Sequence, residues 1–88
     1  MAKEIQVNLV AADREIWSGK ASMVVAKTSV GEIGLLAGHE PMLAILVPGE
    51  IRITSTEGDK VVATSDEGGF LSMEHDNVTV VVRDAHLS

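Results

Sequence analysis

Cysteine is absent from this sequence, and aromatic residues are almost absent. None of its 88 residues is Cys or Tyr, and Phe and Trp occur once each. Without cysteine, neither a disulfide framework nor a cysteine-based zinc site can form, and a small domain without disulfides suits a reducing compartment. Hydrophobic residues make up 45% of the chain and aromatic residues only 2%, so the core must consist of Val, Ile, Leu and Met. We expect a single domain over residues 1–88, which buries about two-thirds of the surface of the unfolded chain.

Basic residues and long apolar runs are also scarce. Seven Lys and Arg stand against thirteen Asp and Glu, a net charge of −6, whereas nucleic-acid binders and proteins of anionic membrane surfaces carry basic patches. The longest aliphatic run, residues 42–47, is far shorter than the ~20 residues of a membrane-spanning helix. The first ten residues, MAKEIQVNLV, alternate polar and apolar residues, unlike a signal peptide. We therefore expect any membrane association to go through another protein.

Apolar and polar residues alternate along most of the chain with the period of a half-buried β-strand. The strand-like stretches are residues 5–9, 21–28, 33–35, 51–53, 60–64, 70–73 and 78–82. Residues 42–47 are apolar on both faces and fit either a buried strand or one helical turn. No long segment has a helical period. The sequence therefore predicts an all-β protein, an antiparallel sandwich or flattened barrel of seven or more strands.

Turn signals separate these stretches. Pro48-Gly49 is the pair that a type II turn favours, and Gly68-Gly69 indicates a bulge or a close approach of backbones. The other expected breaks are Asp13-Arg14-Glu15, Ser18-Gly19, Glu57-Gly58-Asp59 and Asp76-Asn77. Nothing strand-like is evident after Val82.

The sequence contains no recognisable catalytic or cofactor site. A phosphate-binding P-loop needs Lys and a hydroxyl residue after its last glycine, but His39 and Glu40 follow Gly38. His75 and His86 lie far from His39 and from each other, without the close spacing of zinc ligands. No serine stands in a G-x-S-x-G elbow. We therefore expect surface histidines, no catalytic residues, no metal and no cofactor, and glycines that serve a tight β-corner. Trp17 is expected to pack internally.

Three motifs, in order, give the chain a resemblance to a known family. They are VAADREIWSG (residues 10–19), VGEIGLLAGHEPMLAILVPGEIRI (30–53) and GGFLSMEHDNVTVVV (68–82). Together they resemble the amino-terminal domain of the epsilon subunit of F-type ATP synthase, particularly its actinobacterial branch. The central motif is the most specific: the family shows a Gly-acid-aliphatic-Gly core, a Gly-His pair, a proline, an aliphatic run and a Pro-Gly pair. One departure is Ala37, where the family commonly has Pro before Gly-His.

The resemblance implies a flattened β-sandwich of about ten short strands and a mechanical role. Epsilon belongs to the central stalk of a proton-translocating synthase, where it links the gamma subunit to the membrane rotor ring and helps to couple proton flow to ATP synthesis. The implied partners are gamma and the ring subunits, with no nucleic acid and no direct lipid insertion. The implied location is peripheral, on the cytoplasmic face of a bacterial plasma membrane. The partner-contact residues implied are Glu32, Gly34, Gly38, His39, Pro41 and Met42.

Two further expectations concern Glu32 and the end of the chain. Glu32 has no cation nearby in sequence, so we expect it to be exposed together with His39 at one end of the sandwich, with its partner on another protein. Family members usually continue into two C-terminal helices that restrain ATP hydrolysis and in some cases bind ATP. Because this chain ends at Ser88, neither property is assigned to its residues. Two alternatives stay open: a generic binding module with a ligand at the glycine-rich corner, and a small β-barrel enzyme using His39 with Glu40.

Overall fold

The computed structural model describes residues 4–87, and these residues form β-strands and no helix. In chain order the strands are β1 (Ile5–Ala11), β2 (Glu15–Thr28), β3 (Gly31–Leu35), β4 (Met42–Ser55), β5 (Lys60–Ser65), β6 (Gly69–Glu74), β7 (Asn77–Val82) and β8 (His86–Leu87). The predicted all-β class is confirmed. Residues 42–47, which fitted a strand or a helical turn, belong to strand β4.

The two longest strands, β2 and β4, each serve two layers of the fold. The first half of β2 pairs with β1, whereas its second half pairs with β3 on one side and with β4 on the other. Residues 42–46 of β4 pair with β6, and residues 49–54 pair with β5. When these halves are counted separately, the eight strands become ten segments in two layers of five. This arrangement is the flattened sandwich that the sequence predicts.

The layers are continuous through hydrogen bonds. The strand order is β3-β2-β1-β7-β6-β4-β5-β8, and an additional pairing of β2 with β4 closes the sheet on itself. Neighbouring strands run antiparallel except β1 and β7, which are parallel with Val7 opposite Val78. A parallel pair cannot be joined by a tight turn. The chain between β1 and β7 therefore makes the crossover, and the predicted antiparallel sheet has this one exception.

An aliphatic core fills the space between the layers. Burial alternates strictly along β1 and β7, and the inward side chains of these strands are at most 1% exposed apart from Ala11 at 7%. Burial of aliphatic surface at about 25 cal/mol per Å² is the dominant favourable contribution to such a fold. Trp17 lies half-buried at the margin of the core, as expected, and its ring covers Gly19.

Two predicted breaks are strand interior instead. Strand β2 continues through Ser18 and Gly19. Strand β4 continues through Pro48-Gly49, and a bulge replaces the predicted type II turn. Leu46 lies opposite Thr28 and Ile51 lies opposite Ala26, so β4 contains more residues than β2 between these two pairs. Proline cannot donate a hydrogen bond to the ladder and is therefore confined to bulges and edges. The bulge allows β4 to cross from one layer to the other.

Two other features concern the second half of the chain. The close backbone approach predicted at Gly68-Gly69 is confirmed, because a Cβ atom on Gly69 would overlap the backbone carbonyl of Val81. The short strand β8 pairs with β5, although no strand was predicted after Val82. Two residues are too few to show an alternating pattern.

Candidate partner-docking surface

The glycine-rich loop between β3 and β4 begins with a tight turn. The amide of His39 donates a hydrogen bond to the carbonyl of Leu36, with 3.2 Å between N and O. Gly38 has φ of +85°. A bond between the first and fourth residues, with positive φ at the third, defines a type II turn, and Gly is the residue that adopts this φ without steric cost. Ala37 therefore occupies the position that Pro favours in such turns.

A second turn packs against this one. Strands β6 and β7 are joined through His75 and Asp76, which have φ of 50° and 59°. Positive φ at both central residues is the signature of a type I′ hairpin turn. The Asp76 carboxylate accepts a hydrogen bond from the amide of Gly38, with 2.7 Å between Gly38 N and Asp76 Oδ1. The two turns therefore form one end of the sandwich.

The six predicted contact residues divide into two groups. Gly38, His39 and Pro41 are exposed in the loop, and Met42 is half-buried at the start of β4, opposite Met73. Glu32 is exposed near the other end of β3, about 10 Å of extended strand before the loop begins. Gly34 lies between these groups on β3. Glu32 and His39 are both exposed, as expected, but they are not at the same end of the sandwich.

Glu32 has a partner within its own chain, contrary to the expectation from sequence. Arg52 on β4 donates a hydrogen bond to it, with 2.9 Å between Nη2 and Oε2. Strand β2 lies between β3 and β4 here, with Lys27 opposite Glu32 and Val25 opposite Arg52. Arg52 therefore reaches diagonally across β2. The side chains of Arg52 and Glu32 are 52% and 59% exposed, so the pair is a surface ion pair.

The histidines are separated and exposed, as expected. His39 Nδ1 lies 2.8 Å from the backbone oxygen of Glu40, and within residues 4–87 no hydrogen bond or ion pair joins this imidazole to the Glu40 carboxylate. His75 lies 3.6 Å from Glu74 in an exposed pair. Among the described residues, no three His, Asp or Glu side chains are grouped closely enough to hold a metal ion. The same part of the chain has no helix of the length and hydropathy needed to span a membrane.

An apolar row crosses the outer surface of the layer that contains β1, β7, β6 and the first half of β4. It consists of Ile45, Phe70, Val81 and Val10, which are opposite one another on successive strands. We call these four residues the outer apolar row. Ile45 is 59% and Phe70 42% exposed, and Leu43, beside the row on β4, is 70% exposed.

The sequence identified only part of this row. Residues 42–47 stand out in the sequence as the longest aliphatic run, and Leu43 and Ile45 of this run are exposed. Phe70, Val81 and Val10 were not singled out, because their exposure depends on which face of each strand points outward. The signal that could have found them is their position beside strictly buried neighbours, such as Val80 and Val82 around Val81.

An apolar row on the outer face of a β-sandwich, with two of its four side chains exposed and two half-buried, is typical of a small domain that binds other proteins. The family model for the β-sandwich domain of the ATP synthase delta/epsilon chain matches residues 4–88. The chain belongs to this family, which confirms the resemblance seen in its motifs.

Several relatives in actinobacteria bear the name ATP synthase epsilon chain. The protein of Streptomyces griseus is 44% identical over 88 residues, which are 100% of this chain and 70% of that relative. That of Micrococcus luteus is 48% identical over 84 residues, covering 96% of this chain and 91% of the relative. That of Corynebacterium diphtheriae is 51% identical over 83 residues, covering 93% and 67%.

Solved structures share the fold. A chain in the cryo-EM structure of the Euglena gracilis mitochondrial ATP synthase, described as OSCP/F1/c-ring in rotational state 1, superposes with a TM-score of 0.89 and 27% identity. The match covers 96% of this chain and 53% of that one, so this chain spans about half its length. A chain from the central stalk and c-ring of the Tetrahymena thermophila enzyme superposes with a TM-score of 0.74 at 20% identity, which is a likeness of fold.

Proposed function

We propose that this chain is a non-catalytic rotor subunit of a proton-translocating ATP synthase, in which it links the gamma subunit to the membrane rotor ring. In this role it transmits the rotation of the ring, which proton flow drives, to the part of the complex that synthesises ATP. The observation that carries the proposal is the outer apolar row, on a fold that superposes on a chain of an F1/c-ring assembly with a TM-score of 0.89. Monomeric soluble proteins rarely expose contiguous apolar patches, so this row favours a domain whose surface is covered by a partner.

The exposed surfaces suggest a division of contacts. The outer apolar row, with Leu43 beside it, suits a stable interface with gamma, because permanent interfaces are rich in apolar side chains. The turn with Gly38 and His39 and the exposed Glu32 lie at opposite ends of β3, about 10 Å of strand apart, and both suit the polar loops of a ring wide enough to meet the two. Gly34, Pro41 and Met42 complete this proposed contact set. The location that follows is the cytoplasmic face of a bacterial plasma membrane, held there through the ring.

Binding experiments with the two partners separately would test this function. The gamma subunit and the purified ring encoded with this chain would each be titrated onto the immobilised chain. We expect Ile45→Gln to weaken binding of gamma at least tenfold, because truncation of a central apolar anchor commonly costs more than about 1.4 kcal/mol. Leu87→Gln on β8 is the matched control, since Leu87 is 46% exposed on the other layer.

The result that would contradict the proposal is simple to recognise. If the chain binds neither gamma nor the ring in any salt condition, it is not the linking subunit. If a small-molecule ligand raises the melting temperature of the chain in the absence of partner proteins, that result would instead favour a generic β-sandwich binding module.

A further inference from the structure

Asp76 connects three separate segments of the chain. Its carboxylate accepts the hydrogen bond from the Gly38 amide at 2.7 Å, and its backbone carbonyl accepts one from the amide of Gln6 at 2.9 Å. It thereby links the hairpin between β6 and β7 to the start of β1 and to the glycine-rich turn. Gly38 and Asp76 are 38 residues apart in sequence. This long-range bond is to a charged acceptor, which makes it stronger than a bond between neutral groups.

The backbone of Asp76 makes this contact at a conformational cost. Its φ of 59° lies in the left-handed region, which Gly adopts freely and other residues adopt rarely, with Asn and Asp as the most frequent exceptions. A glycine would therefore suit the hairpin turn alone better than Asp76 does. The carboxylate gives this position a role that glycine could not fill.

The Gly38 N–H belongs to the Ala37–Gly38 peptide, and the orientation of this peptide distinguishes a type II turn from a type I turn. Type I and type II turns differ mainly by a flip of the peptide between their two central residues, which here is the Ala37–Gly38 peptide. Glycine at 38 permits both orientations, because it adopts positive and negative φ about equally well. The bond from Gly38 N to Asp76 Oδ1 forms only when the N–H of this peptide points toward the hairpin. Asp76 therefore selects the type II orientation.

We propose that Asp76 is a positioning residue for docking, which holds the Ala37–Gly38 peptide in one orientation so that the turn carrying His39 presents a single shape to its partner. This inference rests on the proposed function, in which the turn belongs to the contact surface. A turn ordered in advance does not lose conformational freedom on binding, and this saving strengthens association.

Two substitutions separate the carboxylate from the turn that bears it. Asp76→Gly removes the acceptor but suits the positive φ, so the hairpin is expected to persist. Asp76→Asn keeps a side-chain oxygen and tolerates the same φ. Hydrogen exchange of the Gly38 amide, followed by NMR on the 88-residue chain without partners, should be about tenfold faster in Asp76→Gly and within about threefold of wild type in Asp76→Asn. A type II turn has a short distance from Ala37 Hα to Gly38 HN, and the nuclear Overhauser effect between these two protons should weaken only in Asp76→Gly. An unchanged Gly38 amide in Asp76→Gly would overturn the inference.

Partner binding supplies the second readout. With the ring as probe, Asp76→Gly should bind about three- to tenfold more weakly than wild type, and Asp76→Asn close to wild type. If wild type binds the ring and Asp76→Gly binds equally well, positioning by Asp76 is refuted and the proposed function stands. If wild type binds neither the ring nor gamma, the proposed function fails and the docking role of Asp76 fails with it. The amide measurement needs no partner, so the two failures are distinguishable.

Discussion

Arg52 on β4 reaches across β2 to hydrogen-bond Glu32 on β3, with 2.9 Å between Nη2 and Oε2. The pair changes the meaning of Glu32. A carboxylate without a cation in its own chain would need a complementary group on another protein, but Glu32 already forms an ion pair with Arg52. Both side chains are more than half exposed, so the pair contributes at most about 1 kcal/mol to stability. A partner can therefore bind Glu32 only if it displaces Arg52 from Glu32 or if it binds the two side chains together.

The first prediction concerns the stability contribution of this pair. Glu32→Lys places a second cation beside Arg52, so we expect the free energy of unfolding to fall by less than about 1 kcal/mol, and by less at high salt. Arg52→Glu should have a similar effect, and the double charge swap should recover most of the loss. Urea unfolding at two salt concentrations measures this. A loss of several kcal/mol, or no recovery in the double swap, would show that Glu32 has a structural role beyond a surface pair.

Association with the ring gives the second prediction for the same residue. Exposed charges chiefly set the rate and orientation of encounter, so Glu32→Lys should slow association with the ring more at low salt than at high salt. Arg52→Gln, which frees Glu32 without removing it, is the matched variant and should leave association the same or faster. Equal effects of Glu32→Lys at all salt concentrations would remove Glu32 from the electrostatic contact.

Glycine substitutions provide the third prediction. Gly69→Ala should destabilise the fold by about 1–3 kcal/mol or more, because the new methyl group would overlap the Val81 carbonyl and strands β6 and β7 would have to separate. Gly34→Ala is the matched control. Its Cβ would meet no atom within 4 Å, so the change should stay within about 0.5 kcal/mol. Thermal unfolding of the two variants decides the matter, and equal midpoints would contradict the close approach.

The contrast between these sites shows which features a sequence can predict. The aliphatic core and the strands follow from alternation, since a residue such as Val80 is buried wherever its strand pairs. The close approach at Gly69 follows from a glycine pair before a strand. The Arg52–Glu32 pair could not be predicted, because it depends on β2 lying between β3 and β4 and on which faces point outward. The bond between Gly38 and Asp76 joins two turns whose proximity only the closed sheet determines.

The bulge at Pro48 illustrates a different limit. Pro-Gly is a reliable turn signal when the flanking strands pair with each other. Here the two halves of β4 pair with β6 and β5 instead, so the same dipeptide bends one continuous strand between layers. Local chemistry predicts a change of direction at this position. The pairing partners decide whether that change is a hairpin or a bulge.

The fourth prediction uses the position of Ala37 in the type II turn. Ala37→Pro should raise the free energy of unfolding by about 0.4–1 kcal/mol, because proline restricts the unfolded chain and its fixed φ suits this position. Within residues 4–87 the Ala37 amide donates no hydrogen bond that proline would remove. Gly38→Ala is the opposing control and should destabilise, since φ of +85° is strained for alanine. Denaturant midpoints measure both, and destabilisation by Ala37→Pro would contradict the turn assignment.

The last prediction addresses nucleotide binding at the glycine-rich corner. A phosphate cradle works through free backbone amides and a nearby cation. In this turn the Gly38 amide is already bonded to the Asp76 carboxylate, the His39 amide is bonded to Leu36, and Glu40 adds a further negative charge. An incoming phosphate would have to displace one carboxylate and approach another. Titration calorimetry of the 88-residue chain with ATP and Mg²⁺ should therefore give no saturable heat, and Asp76→Asn should give none either, because the amide stays occupied. Micromolar binding to wild type would show that these amides can be released, and it would restore the phosphate-loop interpretation of the glycines.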